Sequence, residues 1–350
     1  MTAFTPRIRS AAAIAVALAA CGSPALTGTA AASGSTTAST VVSAPLVKGL
    51  YQSAYSERNH VLWATSAVGR PPVTDSHLLK VDPRTLTVEA SYTPPVTDAA
   101  TGAVEAVYGV AVDDEHNTVW TTNTRANSVA VYSQRTGEHL ATLPGVAHAR
   151  EIVVDERHDT VWASGFGDGT LVAFDSATFK EKERITVAGS TPTGLTVNER
   201  TGTVYTTDLA GDRIIEVSRK STTPRFVPAG DGPISIVLSA DGRTAYTADQ
   251  TGGDVSVVDL RKGIVTKSVP TGAGALSVAA DARSGRVLVV NRTAATVSLV
   301  DPGAGAVVET VATGTAPNHV EVADGTAYVV DKSGSGPAGE DQVTRIRIGR

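Results

Sequence analysis

The sequence predicts an all-β fold of seven repeated units, each a four-stranded antiparallel sheet, and three observations lead to this prediction. Two stretches, 233–272 and 275–314, are copies of one unit of about forty residues, a period typical of repeat architectures. Each unit holds four short runs rich in Val, Thr, Ile and Tyr between turn residues. One position, usually aromatic, recurs every 40 to 43 residues after a first interval of 57: Trp63, Trp120, Trp162, Tyr205, Tyr246, Leu288 and Tyr328.

The fourth unit shows the four predicted strands most plainly, at 194–197, 203–207, 213–218 and 225–228. Outside the N-terminal leader the chain has no 3.6-residue apolar periodicity, so helices are not expected. A sheet of this size cannot bury a core alone, whereas sheets packed face to face around an axis bury both faces. The sequence therefore predicts a seven-bladed β-propeller as a single domain over 40–350. The first blade is expected to be lengthened by two loops, Gly69 to Ser76 and Pro94 to Glu105.

Closure of the ring is predicted from the two ends of this domain. The seventh unit supplies three strands, at 318–322, 325–331 and 342–348. Residues 40–49 precede the first unit and resemble the fourth strands of other units, which also end in Gly. We expect 40–49 to be the outer strand of blade seven, because that pairing satisfies an otherwise open sheet edge.

The N-terminal residues read as a targeting segment. Arg7 and Arg9 precede a ten-residue apolar run, 11–20, which is too short to span a bilayer. The run ends in Leu-Ala-Ala-Cys-Gly, which resembles a bacterial lipobox and makes Cys21 the expected lipidation site. We therefore interpret 1–20 as a lipoprotein signal peptide and 21–39 as an Ala/Ser/Thr/Gly-rich tether. The alternative is ordinary cleavage before Ser33, which would release a secreted protein.

Two further stretches carry a family resemblance. Residues 287–302 (VLVVNRTAATVSLVDP) and 245–259 (AYTAD…DVSVVD) look like the YVTN repeat of the YncE-like seven-bladed propellers. The resemblance covers about 50–350 and is strongest in blades five to seven. It implies an exported bacterial protein, and single-stranded DNA binding has been associated with that group. The net charge of −5 argues against a strong nucleic-acid binder here.

Most motifs of known chemistry are absent from the sequence. It contains no Cys-x-x-Cys-His, Gly-x-Ser-x-Gly, Walker or His-Glu-x-x-His motif. Residues 334–339 fit Gly-x-Gly-x-x-Gly, but a Pro-bearing loop and a strand follow where dinucleotide binding needs a helix. Asp249 and Asp254 fall short of the roughly 6–8 oxygens that calcium takes, so a hairpin turn is favoured there. No metal or cofactor is expected, and the repeated acids are expected to cap turns: Asp82, Asp175, Asp259 and Asp301.

The candidate binding residues stand where one blade departs from the repeat. The positions that begin the innermost strands hold mostly small residues, but Arg150-Glu151 and Asn318-His319 break that pattern. In propellers these loops share one face with the loops that join strands two and three. A polar, partly cationic pocket is predicted at the channel mouth, with a ligand that offers an anionic group to Arg150 and an apolar face to Tyr108. The predicted set is Arg150, Glu151, Asn318, His319, Tyr108, Tyr51, Arg125 and Arg292. The alternative is structural, with Arg150 and Glu151 paired to neighbours and His319 filling a gap between blades.

These observations favour an exported, membrane-anchored binding module that uses the mouth of the ring without catalysis. Its expected partner is a small molecule, a cell-wall component or a protein, and the chain is expected to be a monomer. The alternative is a propeller enzyme, either a lactonase-like hydrolase or a lyase, with a central polar or metal site. Such sites need several converging carboxylates or histidines, whereas this channel offers mainly Glu151 and His319.

Overall fold

The computed structural model describes residues 38–349, apart from the side chain of Thr222. Within this range the chain forms thirty strands and one short 3-10 helix, Glu156–His158. Twenty-eight of the strands form seven four-stranded antiparallel sheets, so the predicted seven blades are confirmed. In the same range no helix has the length and apolar character needed to cross a bilayer. The predicted signal peptide and Cys21 lie outside the described residues, as does the tether up to residue 37.

The strands follow the repeat in chain order, beginning with β1 (Thr40–Pro45). Blade one is β2 (Leu50–Ser56), β3 (Val61–Val68), β4 (Asp75–Asp82) and β5 (Thr87–Tyr92), followed by a hairpin of β6 (Val96–Asp98) and β7 (Ala103–Val104). Blade two is β8 (Val110–Asp113), β9 (Thr118–Asn123), β10 (Ser128–Ser133) and β11 (His139–Pro144). Blade three is β12 (Ala149–Asp155), β13 (Thr160–Gly165), β14 (Thr170–Asp175) and β15 (Glu181–Thr186).

Blade four is β16 (Pro192–Asn198), β17 (Thr203–Asp208), β18 (Arg213–Ser218) and β19 (Ser221–Pro228). Blade five is β20 (Pro233–Leu238), β21 (Thr244–Asp249), β22 (Asp254–Asp259) and β23 (Ile264–Pro270). Blade six is β24 (Ala275–Asp281), β25 (Arg286–Asn291), β26 (Thr296–Asp301) and β27 (Ala306–Ala312). Blade seven is β28 (Pro317–Ala323), β29 (Thr326–Asp331) and β30 (Gln342–Arg347), completed by β1.

Burial explains why the sequence shows little alternation in most strands. The second strand of blade two, β9, is buried at every position, whereas its outer strand, β11, alternates between half-buried and exposed residues. A strand that is covered on both faces has no regular alternation of apolar and polar residues, whereas a strand open to solvent on one face alternates between them. The first strands of neighbouring blades lie side by side around the axis, from β2 through β8, β12, β16, β20 and β24 to β28 and back to β2.

The hydrophobic core is divided among the blade interfaces. Seven clusters of buried side chains each join two neighbouring blades, and each contains one copy of the recurring second-strand residue. Trp63 packs between blades one and two, for example, and Tyr328 packs between blades seven and one. The period seen in the sequence is therefore the period of the interfaces, because the large residue fills the space between two sheets.

The ring closes as predicted, with a shorter strand. β1 pairs antiparallel with β30 from Thr40↔Arg347 to Pro45↔Gln342, whereas 40–49 was expected to be strand throughout. The chain leaves the sheet after Pro45 because Asp341 holds the turn that leads into blade one. The amide of Gly49 donates to Asp341 Oδ2 at 2.7 Å, and the amide of Leu46 donates to the Asp341 carbonyl at 2.9 Å.

The repeated acids cap turns, as the sequence indicates. Asp82 Oδ1 accepts the amide of Arg84 at 2.7 Å, and Asp175, Asp259 and Asp301 accept amides three residues ahead at 2.8, 2.9 and 2.8 Å. These local bonds hold the pKa of Asp82, Asp175 and Asp259 below the ordinary value, the backbone or hydroxyl donor being the main cause. The four carboxylates are therefore structural.

Candidate functional site

The channel mouth is built from a β-bulge that recurs at the start of the inner strands. In blade three, Ala149 pairs with Gly165 and Ile152 pairs with Ala163, so Arg150 and Glu151 together oppose the single residue Ser164. The inner strands of blades one, four, five, six and seven show a register shift at the same point. A bulge re-aims side chains at the end of a strand, and here it turns consecutive residues toward the mouth.

Hydroxyl groups fix this bulged backbone and tie blades two and three to the blades that follow them. In blade three Ser164 Oγ accepts the amide of Glu151 at 3.0 Å and donates to the carbonyl of Thr193 in blade four at 2.9 Å. Thr122 does the same in blade two, accepting from Gly109 at 2.8 Å and donating to the Arg150 carbonyl at 3.1 Å. The rim is therefore held in one arrangement by bonds within the protein.

A cavity of about 280 Å³ opens at this rim. Seven of the eight residues predicted from the sequence line it, and the exception is Arg292. The other lining residues, which were not predicted as site residues, are Gln52, Gly109, Thr124, His148, Ile234, Ser235, Leu276 and Ser277. The cavity has one cationic wall from blades two and three and one apolar patch, Ile234 and Leu276, from blades five and six.

The aromatic wall depends on the long loops of blade one. Tyr51 and Tyr108 meet edge to face, with ring centroids 4.4 Å apart, a favoured geometry for aromatic pairs. Both rings pack on a small buried cluster of Ala67, Val73 and Ala106. Val73 and Ala106 come from the loops of blade one, so the loops that interrupt the repeat position the tyrosines.

Arg150 is half-buried and has no carboxylate partner. Its guanidinium carbon lies 5.7 Å from the ring centroid of Phe166, and burial lowers its pKa. Burial, Arg150 and Arg125 together lower the pKa of His148 at the same wall. Across residues 38–349 no ion pair includes Arg125, Arg150, Arg292 or Lys332. The mouth therefore concentrates unpaired positive charge on a protein of net negative charge.

Arg292 supports the site from outside the cavity. It donates to Asn318 Oδ1 at 2.6 Å, and the Asn318 amide donates in turn to the carbonyl of Tyr51, also at 2.6 Å. The chain of bonds runs from blade six through blade seven to blade one. Arg292 was predicted as a binding residue, but the structure places it behind Asn318, where it orients that side chain.

Glu151 lies at the floor of the cavity and lacks a cationic partner. Gln52 Nε2 donates to Glu151 Oε2 at 3.0 Å, and the amide of Ile152 donates to Oε1 at 3.4 Å. Burial raises the pKa of the Glu151 carboxyl to about 7, and these bonds oppose the rise only in part. The side chain is half-buried because it is surrounded by protein but open to the cavity. The structural alternative, in which Glu151 pairs with a neighbour, is met only by Gln52, and in the described residues no ion pair includes Glu151.

His319 also lines the cavity and is neutral. The amide of Ser53 donates to His319 Nδ1 at 3.4 Å, which places the ring proton on Nε2. Burial lowers the pKa of His319 to about 4. Glu151 of blade three and His319 of blade seven are thus both bonded to blade one, through Gln52 and Ser53 respectively.

Lys332 and Glu321 were not predicted as site residues and flank the cavity. Lys332 Nζ donates to the carbonyl of Leu50 at 2.8 Å and lies 3.5 Å from the Tyr51 ring centroid, and burial lowers its pKa to about 8. Glu321 follows His319 by two residues on β28, so it lies farther along the channel. Burial, with the charges of Glu57 and Glu151, raises its pKa to about 7. In the described part of the chain no group of three or more His, Cys, Asp or Glu side chains is placed to hold a metal ion.

Comparison with known proteins identifies relatives by sequence. No family profile matches the chain. Proteins named "Uncharacterized protein YncE" match it over 230 residues, with 28% identity for those of Escherichia coli O157:H7 and strain K12 and 27% for that of Salmonella typhi. Each match covers 61% of this chain and 63% of the relative. The chain therefore spans just under two thirds of the length of these relatives.

Comparison of folds identifies solved structures. Virginiamycin B lyase from Staphylococcus aureus superposes with a TM-score of 0.70 at 12% identity, over 89% of this chain and 99% of that one. A streptogramin B lyase structure gives a TM-score of 0.70 at 13% identity, over 88% and 97%. Identities this low show a shared fold alone. The chain is therefore a seven-bladed β-propeller whose sequence is similar to that of YncE.

Proposed function

We propose that this protein is an exported binding module that takes a small-molecule ligand in the cavity at the mouth of its ring. One observation carries the proposal: an open cavity of about 280 Å³ is lined by unpaired charged groups at the point where single blades break the repeat. Buried or half-buried charges without partners are costly in a purely structural role. A ligand that supplies the missing partners removes that cost.

The shape of the cavity supports a small ligand. Rigid bulges and hydroxyl bridges hold the rim, so little ordering is needed on binding, and a preorganised site loses less conformational entropy. Ile234 and Leu276 offer apolar contact opposite Arg125 and Arg150. This combination of apolar wall and few convergent polar groups is typical of ligand sites.

A thermal-shift screen tests this proposal directly. Metabolites, cell-wall fragments, oligonucleotides and divalent metal ions are added to the wild type and to Leu276→Trp, which fills the cavity. Leu140→Trp, on the exposed outer strand β11, is the matched control. A ligand at about 100 times its Kd stabilises the folded state by about 2.7 kcal/mol. We expect hits to stabilise the wild type and Leu140→Trp but not Leu276→Trp; hits that stabilise all three equally would place the site elsewhere.

A hydrolase or lyase activity is the second candidate, and it rests on the floor of the cavity. Glu151, with a pKa of about 7, is suited to proton transfer near neutral pH, and neutral His319 lines the same cavity. The solved structures with this fold include a virginiamycin B lyase. The probe is virginiamycin B itself, together with simple lactones. Turnover by the wild type that is abolished in Glu151→Gln would support the activity. If no probe is turned over, the enzymatic candidate is rejected and the binding function stands.

Membrane attachment through Cys21 is the remaining part of the proposal. Its support is the lipobox-like sequence from Leu18 to Gly22 directly after an apolar run. A tethered ring would present its mouth outside the cell membrane, where small molecules and cell-wall fragments are available.

A further inference from the structure

Arg150 and Glu151 carry opposite charges into the same cavity without pairing with each other. They are consecutive residues of one bulge, both line the cavity, and neither takes part in any ion pair within 38–349. Adjacent opposite charges at a protein surface usually neutralise one another. Here each is left free to meet a separate charge on one bound molecule.

Glu151 also departs from the bonding pattern of the inner ring. In blades one, five, six and seven the side chain at this position accepts an amide from the next blade, whereas blades two and four have Gly109 and Gly194 there. Ser235 accepts Val278 N at 3.3 Å, and Ser277 accepts Val320 N at 3.2 Å. Gln52 and His319 do the same toward blades two and one, at 3.3 and 3.4 Å.

In the described residues Glu151 makes no such bond to blade four. Each of its oxygens receives one donor, Gln52 or Ile152, whereas a carboxylate has room for about four. A serine would serve the ring at this position as it does in blades five and six, so the carboxylate is not explained by ring closure. Its remaining lone pairs can accept a donor from the cavity.

We infer that the cavity binds a small zwitterion, with its carboxylate at Arg150 and Arg125, its ammonium group at Glu151, and its apolar body against Leu276 and Ile234. This inference rests on the proposed function and specifies its ligand class. Two sources share the chemistry, free amino acids and short peptides, which differ in the separation of the two charged groups.

The charges around Glu151 favour an ammonium group at the floor. Gln52 and His319 are neutral there, Glu321 lies farther along the channel and adds negative charge, and Arg150, Arg125 and His148 stand at the rim. Because Glu151 has a pKa of about 7 in the empty cavity, it must lose a proton before it can pair with an ammonium group. Affinity for a zwitterion should therefore rise with pH, by up to about tenfold per unit below pH 7.

Isothermal titration with matched ligands tests the ligand class. Phenylalanine, leucine and their glycyl dipeptides carry both charges, the N-acetyl derivatives lack the ammonium group, and the amides lack the carboxylate. We expect at least one zwitterion to bind and each neutralised end to weaken binding by about tenfold or more. The tighter of amino acid and dipeptide identifies the source.

Variants assign each end of the ligand to a residue. Glu151→Gln should weaken the zwitterion but not its N-acetyl derivative and should remove the pH dependence, whereas Arg150→Gln should weaken the zwitterion but not its amide. Asp231→Asn is the control, since Asp231 is an exposed acid that does not line the cavity and its loss should leave the pH dependence in place. Equal binding of N-acetyl and free forms, or no binding of any zwitterion, overturns this inference. The proposed function is overturned by a different result, namely that no ligand of any class stabilises the wild type more than it stabilises Leu276→Trp.

Discussion

Two carboxylates face each other at the end of the central hairpin of blade five, where other blades place a donor. Asp249 and Asp254 are directly opposite in register, and Asp249 Oδ2 and Asp254 Oδ1 are buried without a partner among the described residues. Burial, with the neighbouring Asp254, raises the pKa of Asp249 to about 7. In blades two and six the equivalent residues are Asn123 and Asn291, whose amides donate to nearby oxygens. Blade five must therefore retain a proton to avoid two buried like charges.

Replacing Asp249 with asparagine, the residue of blades two and six, should stabilise the protein at high pH. The folded pKa of Asp249, about 7, lies above the ordinary value of 3.8, so the folded state binds a proton that the unfolded state releases. Stability should therefore fall as pH rises from about 4 to about 7. Asp249→Asn keeps a donor at every pH and should add about 1–3 kcal/mol at pH 8. Urea denaturation at pH 5 and pH 8 measures this.

The control for this prediction is Asp231→Asn, an exposed acid just before β20. It should change neither stability nor its pH dependence. Glu151 and Glu321 also have raised pKa values, so some pH dependence should persist in Asp249→Asn. An unchanged difference between pH 5 and pH 8 in that variant would show that the two aspartates are not coupled through a proton.

For single residues, the sequence identifies a candidate site residue where that residue departs from the repeat. Arg150 is charged where the other blades hold uncharged residues, His319 stands where most blades hold Gly or Ser, and both line the cavity. Gln52 occupies the position of blade one that is equivalent to His319 in blade seven. The sequence does not single it out as a site residue, because its contact with Glu151 depends on the bulge geometry. Arg292 was assigned to the cavity because its loop faces the mouth, but its length carries the guanidinium back to Asn318. Loop position alone does not determine where a long side chain ends.

Among the strands, β1 has the largest role for its size. It joins residues from the two ends of the domain, since Thr40 pairs with Arg347 and Ser39 bonds to Glu309 of blade six at 2.8 Å. Ala44, Leu46 and Val47 pack on the cluster between blades one and seven. The strand therefore contributes both edge hydrogen bonds and apolar contacts at the point where the ring closes.

Two truncations separate this strand from the residues before it. Removing residues 1–49 takes away β1 and the turn held by Asp341, exposes β30 as an edge, and should lower the Tm by several degrees or cause aggregation. Removing residues 1–36 leaves these contacts intact and should change the Tm little. Differential scanning calorimetry on both proteins measures the difference. If both truncations melt at the same temperature, closure by β1 contributes no stability.

Element boundaries were predictable wherever the repeat is regular. The strands predicted for blades four and seven lie within four residues of their observed limits, because turn residues and buried runs alternate at a fixed period. Blade one differs, since the expected loop from Pro94 to Glu105 contains the hairpin β6–β7 and β4 already begins at Asp75. The amide of Val104 bonds to the carbonyl of Val73 at 2.9 Å, so the hairpin depends on a contact between two loops. No local pattern encodes that contact.

The ring distributes its core over seven similar interfaces. Because each cluster joins only two blades, stability is expected to be shared among neighbours, as in other repeat architectures. The inner rim is linked around much of the axis by side chains that bond to the next blade. Because this frame is rigid, the residues at the channel mouth can vary from blade to blade without disturbing the fold. The departures from the repeat described above occur at these positions.

The whole protein should partition with membranes in a bacterial host that processes lipoproteins. A diacylglyceryl group and an N-acyl chain on Cys21 would provide stable attachment, because each buried CH₂ contributes about 0.8 kcal/mol and one chain alone binds only marginally. Cys21→Ser should release the protein or leave it unprocessed, and Ser23→Ala is the matched control. Fractionation, with mass spectrometry of the N-terminal peptide, measures both. Wild-type protein in the medium beginning at Ser33 would instead mean ordinary cleavage, and the ring would act as a freely diffusing binder.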